Sequence, residues 1–227
     1  QKLVGLLNIP AVDNPPVVIM IHGFRANKTY YPWFDNIQIA LLKQNIAVLR
    51  FDFHAHGESE GDSMEYTLKA CAEDLAAALK FIKTQNIDKT NIGIFGTSAA
   101  TIAIGYNGIK GIKTVALYDP VVLASHWQNW FNRKYADEFK EKGYMTHKPK
   151  LDQRTYKFGK KLYDEVQKGD FEKSIKNITC PTLIIYGAEN LSDEEIERTN
   201  TLFKNSEIIY YLRMSHYALT SERSEEH

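Results

Sequence analysis

Cysteine is scarce in this chain. Cys71 and Cys180 are the only two in 227 residues, too few for a disulfide framework and with no metal-ligand spacing around them. They read as buried, reduced thiols of a cytoplasmic protein. A surplus of charge is missing as well: Lys+Arg and Asp+Glu both number 28, so nothing draws the chain to nucleic acid or to an anionic membrane. No apolar run approaches the ~20 residues of a membrane span. The N-terminus lacks a basic region followed by an apolar core, so no signal peptide is expected either. The chain begins at Gln1 rather than Met, which leaves a processed or trimmed start open. There is no internal repeat and no low-complexity linker. The glycines between 105 and 111 lack the lysine of a phosphate loop and do not open from a strand. Cys, His and carboxylates do not cluster at zinc spacing, so neither metal nor cofactor is expected.

What is present is a regular alternation. Short apolar runs at residues 17–21, 46–51, 92–95, 114–118, 182–187 and 207–212 have strand length, and a further run at 3–9 is closed by proline-rich turn signals. The unbroken character of residues 17–21 suits a strand covered on both faces, as in a parallel sheet. Between the runs, residues 33–44, 68–84, 99–106 and 193–203 carry apolar positions at helical spacing. Ser192 is placed to cap the last of these, which has acidic residues in its first turn. Strands alternating with helices predict an α/β fold with a mostly parallel central sheet and helices on both faces. Residues 121–177 break the rhythm: strand-like runs vanish, and lysine, tyrosine and tryptophan rise. Segments 127–142 and 156–168 read as helices. The stretch is too long for a simple connection, so a small helical cap inserted after the sixth strand is expected, with the core at about 1–120 and 178–227 of a single domain.

Residues 92–101 carry the chemistry. A strand-like Ile92-Gly93-Ile94-Phe95 runs into Gly96-Thr97-Ser98-Ala99-Ala100 and then a small-residue helix. A strand, a sharp turn and a helix with one serine at the apex would push its hydroxyl above the sheet edge. Gly96 leaves backbone room, and Ala100 is small enough for close packing. The match to G-x-S-x-G is near, with Ala100 in place of the last glycine.

Together these segments resemble the α/β-hydrolase family, and nearly the whole chain takes part. His22-Gly23-Phe24 after an apolar strand resembles the family's oxyanion loop. Arg50-Phe51-Asp52-Phe53-His54-Ala55-His56-Gly57-Glu58-Ser59-Glu60-Gly61 is similar to a segment of its serine esterase, monoglyceride-lipase and S33-peptidase-like branch, with His54 where arginine is usual. The closest flavour is that of small feruloyl- and cinnamoyl-esterase-like hydrolases. Thr179 to Gly187 resembles the late strand leading to the acid loop, and Ser215-His216 falls where the family places its histidine.

The resemblance implies a serine hydrolase cleaving carboxylic esters, with small acyl or aromatic groups, through an acyl-enzyme. Ser98 would be the nucleophile, His216 its base, and the backbone N–H groups of Phe24 and Ala99 the oxyanion donors. His22 and His56 would hold loops together. The acid is where the chain departs from the family. Three residues past Gly187, where aspartate is expected, stands Asn190. Glu189 beside it is one methylene longer and is the first candidate. Asp119, at the end of the preceding strand, ranks level with it, and Asp193 stands behind as a helix-start acid.

Trp127, Trp130, Phe131 and Tyr135 lie at roughly helical spacing, which suits either a face packed on the core or an apolar roof over the substrate. Lys134, Lys140, Lys142, Lys148 and Lys150 read as a solvated face. Thioester or small peptide and amide cleavage would use the same machinery. A non-catalytic or weakened ligand-binding member of the fold is the alternative from another class, favoured by Asn190. The expected partner is a small-molecule ester. The sequence sets no oligomeric state, and a homodimer stays open.

Overall fold

The structure is a computed structural model and describes residues 1–148, 155–187 and 191–210. Among these, seven strands form one sheet in the order β1-β3-β2-β4-β5-β8-β9. The strands are β1 (Gly5–Asn8), β2 (Val17–Ile21), β3 (Ala47–Phe51), β4 (Ile92–Thr97), β5 (Thr114–Tyr118), β8 (Thr182–Tyr186) and β9 (Ser206–Tyr210). Only β1 runs antiparallel, against β3, and every other pairing is parallel. The alternating fold expected from the apolar runs is the fold found.

Alternation along the strands divides the core. Met20, Val48, Phe95 and Tyr118 face one side, where they meet Trp33 and Phe34 of helix α1 (Pro32–Lys43). Ile19, Ile21, Leu49, Ile92, Ile94 and Leu117 face the other. There they meet Leu75, Leu79 and Ile82 of α2 (Ala70–Ile82) and Ile102 and Ile104 of α3 (Ala100–Asn107). Strands buried on both faces explain why their sequences are runs rather than alternations. No helix among the described residues is long and apolar enough to cross a membrane.

The insertion departs from expectation in two ways. It follows β5, the fifth strand of this chain and not a sixth, because only five apolar runs of strand length precede residue 121. It is also not purely helical. After α4 (Ala124–Lys142) come two short antiparallel strands, β6 (Tyr144–His147) and β7 (Tyr156–Gly159), then α5 (Lys160–Lys168) and α6 (Phe171–Ile175). The first turn of the helix expected at 156–168 is therefore β7. Met145 and Phe158 on this hairpin are fully buried, so tertiary packing on α4 and the 52–66 loop overrides weak local signals. The insertion rejoins the core where α6 lies on α3: a Cβ at Gly105 would stand 2.9 Å from the Ser174 backbone, and Asn177 Nδ2 donates to Gly105 O at 3.0 Å.

Helix α7 (Asp193–Asn200) begins as read. Ser192 Oγ accepts the Glu195 N–H at 3.2 Å, and the Glu195 side chain accepts the Ser192 N–H at 2.9 Å, a reciprocal cap.

Candidate active site

The apex between β4 and α3 is a strained turn. Ser98 takes φ 51, a left-handed conformation that L-residues enter at a cost of roughly 1–2 kcal/mol. Backbone bonds hold it there. Ser98 N–H donates to Tyr118 O on β5 at 2.9 Å, and Ser98 O accepts the Thr101 N–H at 3.2 Å to open α3. The close packing at the apex has a visible cause. A Cβ on Gly96 would stand 2.8 Å from Ile104 Cδ1, and one on Gly23 would stand 3.1 Å from Ser98 Cβ. Ala100 is buried and fits without a glycine in that place.

The turn after β2 brings Phe24 beside this apex. Among the described residues, neither Phe24 N–H nor Ala99 N–H has an acceptor. Ala99 is buried and Phe24 half-buried, and backbone donors left without an acceptor are uncommon in such places. The Phe24 ring packs against Phe158 at 4.8 Å and Trp127 at 5.8 Å, centroid to centroid, so the insertion lies directly over this turn.

The segment similar to the esterase branch is held by a buried ion pair. Lys28 Nζ donates to Asp52 Oδ2 at 2.7 Å, while Asp52 Oδ1 accepts the Lys28 N–H at 2.7 Å and Oδ2 the Glu58 N–H at 2.9 Å. His22 Nε2 accepts the Phe53 N–H at 3.1 Å, and His56 Nδ1 contacts His54 O at 3.0 Å. Burial pulls both imidazoles below their ordinary pKa, His56 strongly, so each is neutral near pH 7. They sit as loop supports.

Of the acid candidates, Asp193 is exposed in the first turn of α7, where its carboxylate complements the helix N-terminus. Asp119 is different: 2% exposed, at φ 46, directly after β5. Its Oδ1 accepts the Gly187 N–H at 2.8 Å, which ties the end of β5 to the end of β8. Burial, together with the Asp119 charge, pushes the Tyr118 phenol upward. Glu189, Asn190 and His216 lie outside the described residues.

A cavity of about 390 Å³ opens at Ser98. Among the described residues it is lined by Phe24, Tyr30, Tyr31, Val121, Trp127 and Trp130, together with Arg25, His126, Arg133, Lys134 and His147. Trp127 and Trp130 are among these lining residues. Phe131 is not: it is fully buried behind them, stacked on Phe139 at 6.0 Å, because α4 turns that face to the core. The cationic members were missed in the sequence. Arg25, Arg133 and His147 carried no motif, and Lys134 read as part of a solvated face.

One cluster brings a possible ligand set together. A ring nitrogen of His54, Cys71 Sγ and an Asp74 oxygen all lie within 4.8 Å of one another. Each already has a hydrogen-bond partner: His54 Nδ1 meets Asp74 Oδ2 at 2.6 Å, and Cys71 Sγ donates to Tyr66 O–H at 3.2 Å. Burial also pushes the Cys71 thiol up, away from the thiolate a metal needs.

This apex serine on a doubly covered parallel sheet defines an α/β-hydrolase, and the chain belongs to that family: the profile of the Alpha/beta hydrolase family matches residues 18–226. In structure the chain is similar to the ferulic acid complex of Est1E from Butyrivibrio proteoclasticus. The two share 21% identity over 92% of this chain and 85% of that one, with a TM-score of 0.73. It is also similar to an acetyl xylan esterase from Paenibacillus sp. R4, with 15% identity, 96% and 75% coverage and a TM-score of 0.68. Identities this low establish the fold alone. A curated relative, thiohydrolase aneE of Aspergillus aculeatus, is 40% identical over 97 residues, covering 40% of this chain and 29% of its own. The chain spans under a third of the length of the curated relatives it matches.

Proposed function

We propose that the chain is a serine hydrolase that cleaves carboxylic esters through an acyl-enzyme. The observation that carries this is Ser98 at φ 51 on the elbow apex, lining a cavity. The Phe24 and Ala99 N–H groups, without acceptors among the described residues, support it. Ser98 Oγ attacks the ester carbonyl carbon as His216 takes its proton. The carbonyl oxygen becomes an oxyanion received by the Phe24 and Ala99 N–H groups. The C–O bond breaks, and the alcohol leaves with the proton that His216 returns. Water, activated by the same imidazole, then releases the acid and restores Ser98.

Asp119 is the acid in this proposal. A triad acid must hold its orientation behind the imidazole, and a buried carboxylate fixed by a backbone N–H meets that need. Glu189 is the competing acid. A second reading within the class, thioester cleavage by the same steps, is favoured by the name of the thiohydrolase relative.

The test is a serine-directed fluorophosphonate probe with p-nitrophenyl butyrate turnover, on the wild type and on Ser98→Ala. Labelling and turnover that vanish in Ser98→Ala support the reading. No labelling, or labelling unchanged in the variant, leaves a non-catalytic ligand-binding member of the fold, the reading that Asn190 favours.

A further inference from the structure

The lining of the Ser98 cavity is lopsided in charge. Three permanent cations, Arg25, Arg133 and Lys134, contribute to it, and no carboxylate does among the described residues. The chain as a whole has equal numbers of acidic and basic residues, so the imbalance is local. None of the three makes an ion pair among the described residues. His126 is occupied, its Nδ1 lying 2.8 Å from Glu195 Oε1.

Arg25 is the best defined of the cations. It follows Phe24 directly, takes φ 64, and is half-buried. Its guanidinium lies 4.7 Å from the centroid of the Trp130 ring and 5.7 Å from that of Phe24. Both of its hydrogen-bond contacts, to Tyr135 O–H at 3.3 Å and His147 Nδ1 at 3.4 Å, use the same nitrogen, Nη1. Those partners are uncharged, since burial and the Arg25 charge hold His147 down at about 4. The Nε–Nη2 edge therefore donates to nothing among the described residues. That edge is the planar fork that takes a carboxylate or phosphate in two parallel hydrogen bonds. A guanidinium kept in place by aromatic rings and neutral acceptors is oriented without being neutralised.

We propose that this cavity selects an ester or thioester bearing a fixed negative charge, a carboxylate or phosphate group, received by the Nε–Nη2 edge of Arg25 with Arg133 and Lys134 adding attraction at the rim. The proposal rests on Ser98 as nucleophile for its catalytic consequence, while the anion site itself is testable without turnover.

Binding is therefore measured by calorimetry on Ser98→Ala. Monoethyl glutarate is compared with diethyl glutarate for a charge on the acyl side, and coenzyme A with N-acetylcysteamine for a charge on the leaving group. At least one anionic probe is expected to bind about tenfold more tightly than its neutral counterpart, as one charge-assisted pair supplies. That preference should collapse towards parity in Arg25→Gln, survive in part in Arg25→Lys, and weaken in Arg133→Gln/Lys134→Gln, whose side chains are exposed and whose fold is not at risk. Equal binding within both pairs overturns the proposal, and so does a preference that all three variants retain. Turnover of p-nitrophenyl glutarate monoester and p-nitrophenyl butyrate by the wild type is read separately. If neither ester is cleaved, the hydrolase reading fails while the binding result still decides the anion site.

Discussion

The Ser98 N–H donates to Tyr118 O at 2.9 Å, so the residue after Tyr118, the buried Asp119, is held at the sheet edge beside the elbow. The elbow strand β4 and the strand β5 that presents the acid candidate are parallel neighbours, in register from Gly93–Thr114 to Thr97–Tyr118. Rigid strands fix the two residues relative to each other far better than a loop would.

If Asp119 orients the base, Asp119→Asn should lower kcat/KM for p-nitrophenyl butyrate by about 10²–10⁴-fold. Asparagine can still accept the Gly187 N–H, so the circular dichroism spectrum should stay unchanged. Glu189→Gln should change activity less than about threefold. The reverse order of the two effects would transfer the acid role to Glu189, and a large gain in Asn190→Asp would show a weakened site.

Gly23→Ala should cost activity more than stability. The new Cβ would stand 3.1 Å from Ser98 Cβ, 3.2 Å from Tyr31 Oη and 3.3 Å from Thr97 O, so the apex must yield by a few tenths of an ångström. Misplacement on that scale is expected to lower kcat by about 10–100-fold, with a melting temperature close to wild type. Unchanged kcat would mean that Ser98 Cβ is not held against this turn.

Removing Asp52 takes from the Lys28 ammonium, 4% exposed, its buried carboxylate, leaving only the exposed Glu58 among the described residues, and leaves two backbone N–H groups without their acceptor. Urea denaturation of Asp52→Ala should show a loss of about 3–5 kcal/mol, the usual cost of breaking a buried pair from one side. A loss below about 1 kcal/mol would mean that the loop is held otherwise.

Acid should destabilise the fold early. His22 and His56 have folded pKa values below the ordinary 6.5, through burial first, and His56 Nε2 has no hydrogen-bond partner among the described residues. As pH falls below 6.5 the unfolded chain takes up protons that the folded chain refuses. Stability is then lost at up to about 1.4 kcal/mol per pH unit for each histidine, down to its folded pKa. The urea midpoint should fall between pH 7 and pH 5. A flat profile over that interval would mean that both rings protonate as readily folded as unfolded.

The chain's own residues made the sheet legible because doubly buried strands have to be continuous apolar runs, as in Val17–Ile21 and Ile92–Phe95. The elbow was legible for the same local reason: Gly96, Ser98 and Ala100 are the residues that one tight strand-to-helix turn admits. The hairpin of β6 and β7 was not legible. Its four-residue strands mix polar and apolar positions, and they become strands only by pairing across the intervening chain. Asp193 already ranked behind Asp119 as a helix-start acid, but the surroundings of the two could not be read, because both are single aspartates at element ends. One proves buried and bonded to Gly187, the other exposed in a helix's first turn. The cationic face was hidden most completely. Arg25 and His147 stand 122 positions apart, and neither belongs to a pattern.

The sequence by itself determined the α/β order, the serine at the apex and the equal counts of acidic and basic residues. These follow from local sterics, from the period of apolar positions and from composition. Only the tertiary structure decided which aspartate is buried beside the elbow, which aromatic rings of α4 wall the cavity, and that Arg25, Arg133 and Lys134 share it. Those facts depend on strands and helices far apart in the chain meeting at one edge of the sheet, and distance in space has no local signature in sequence.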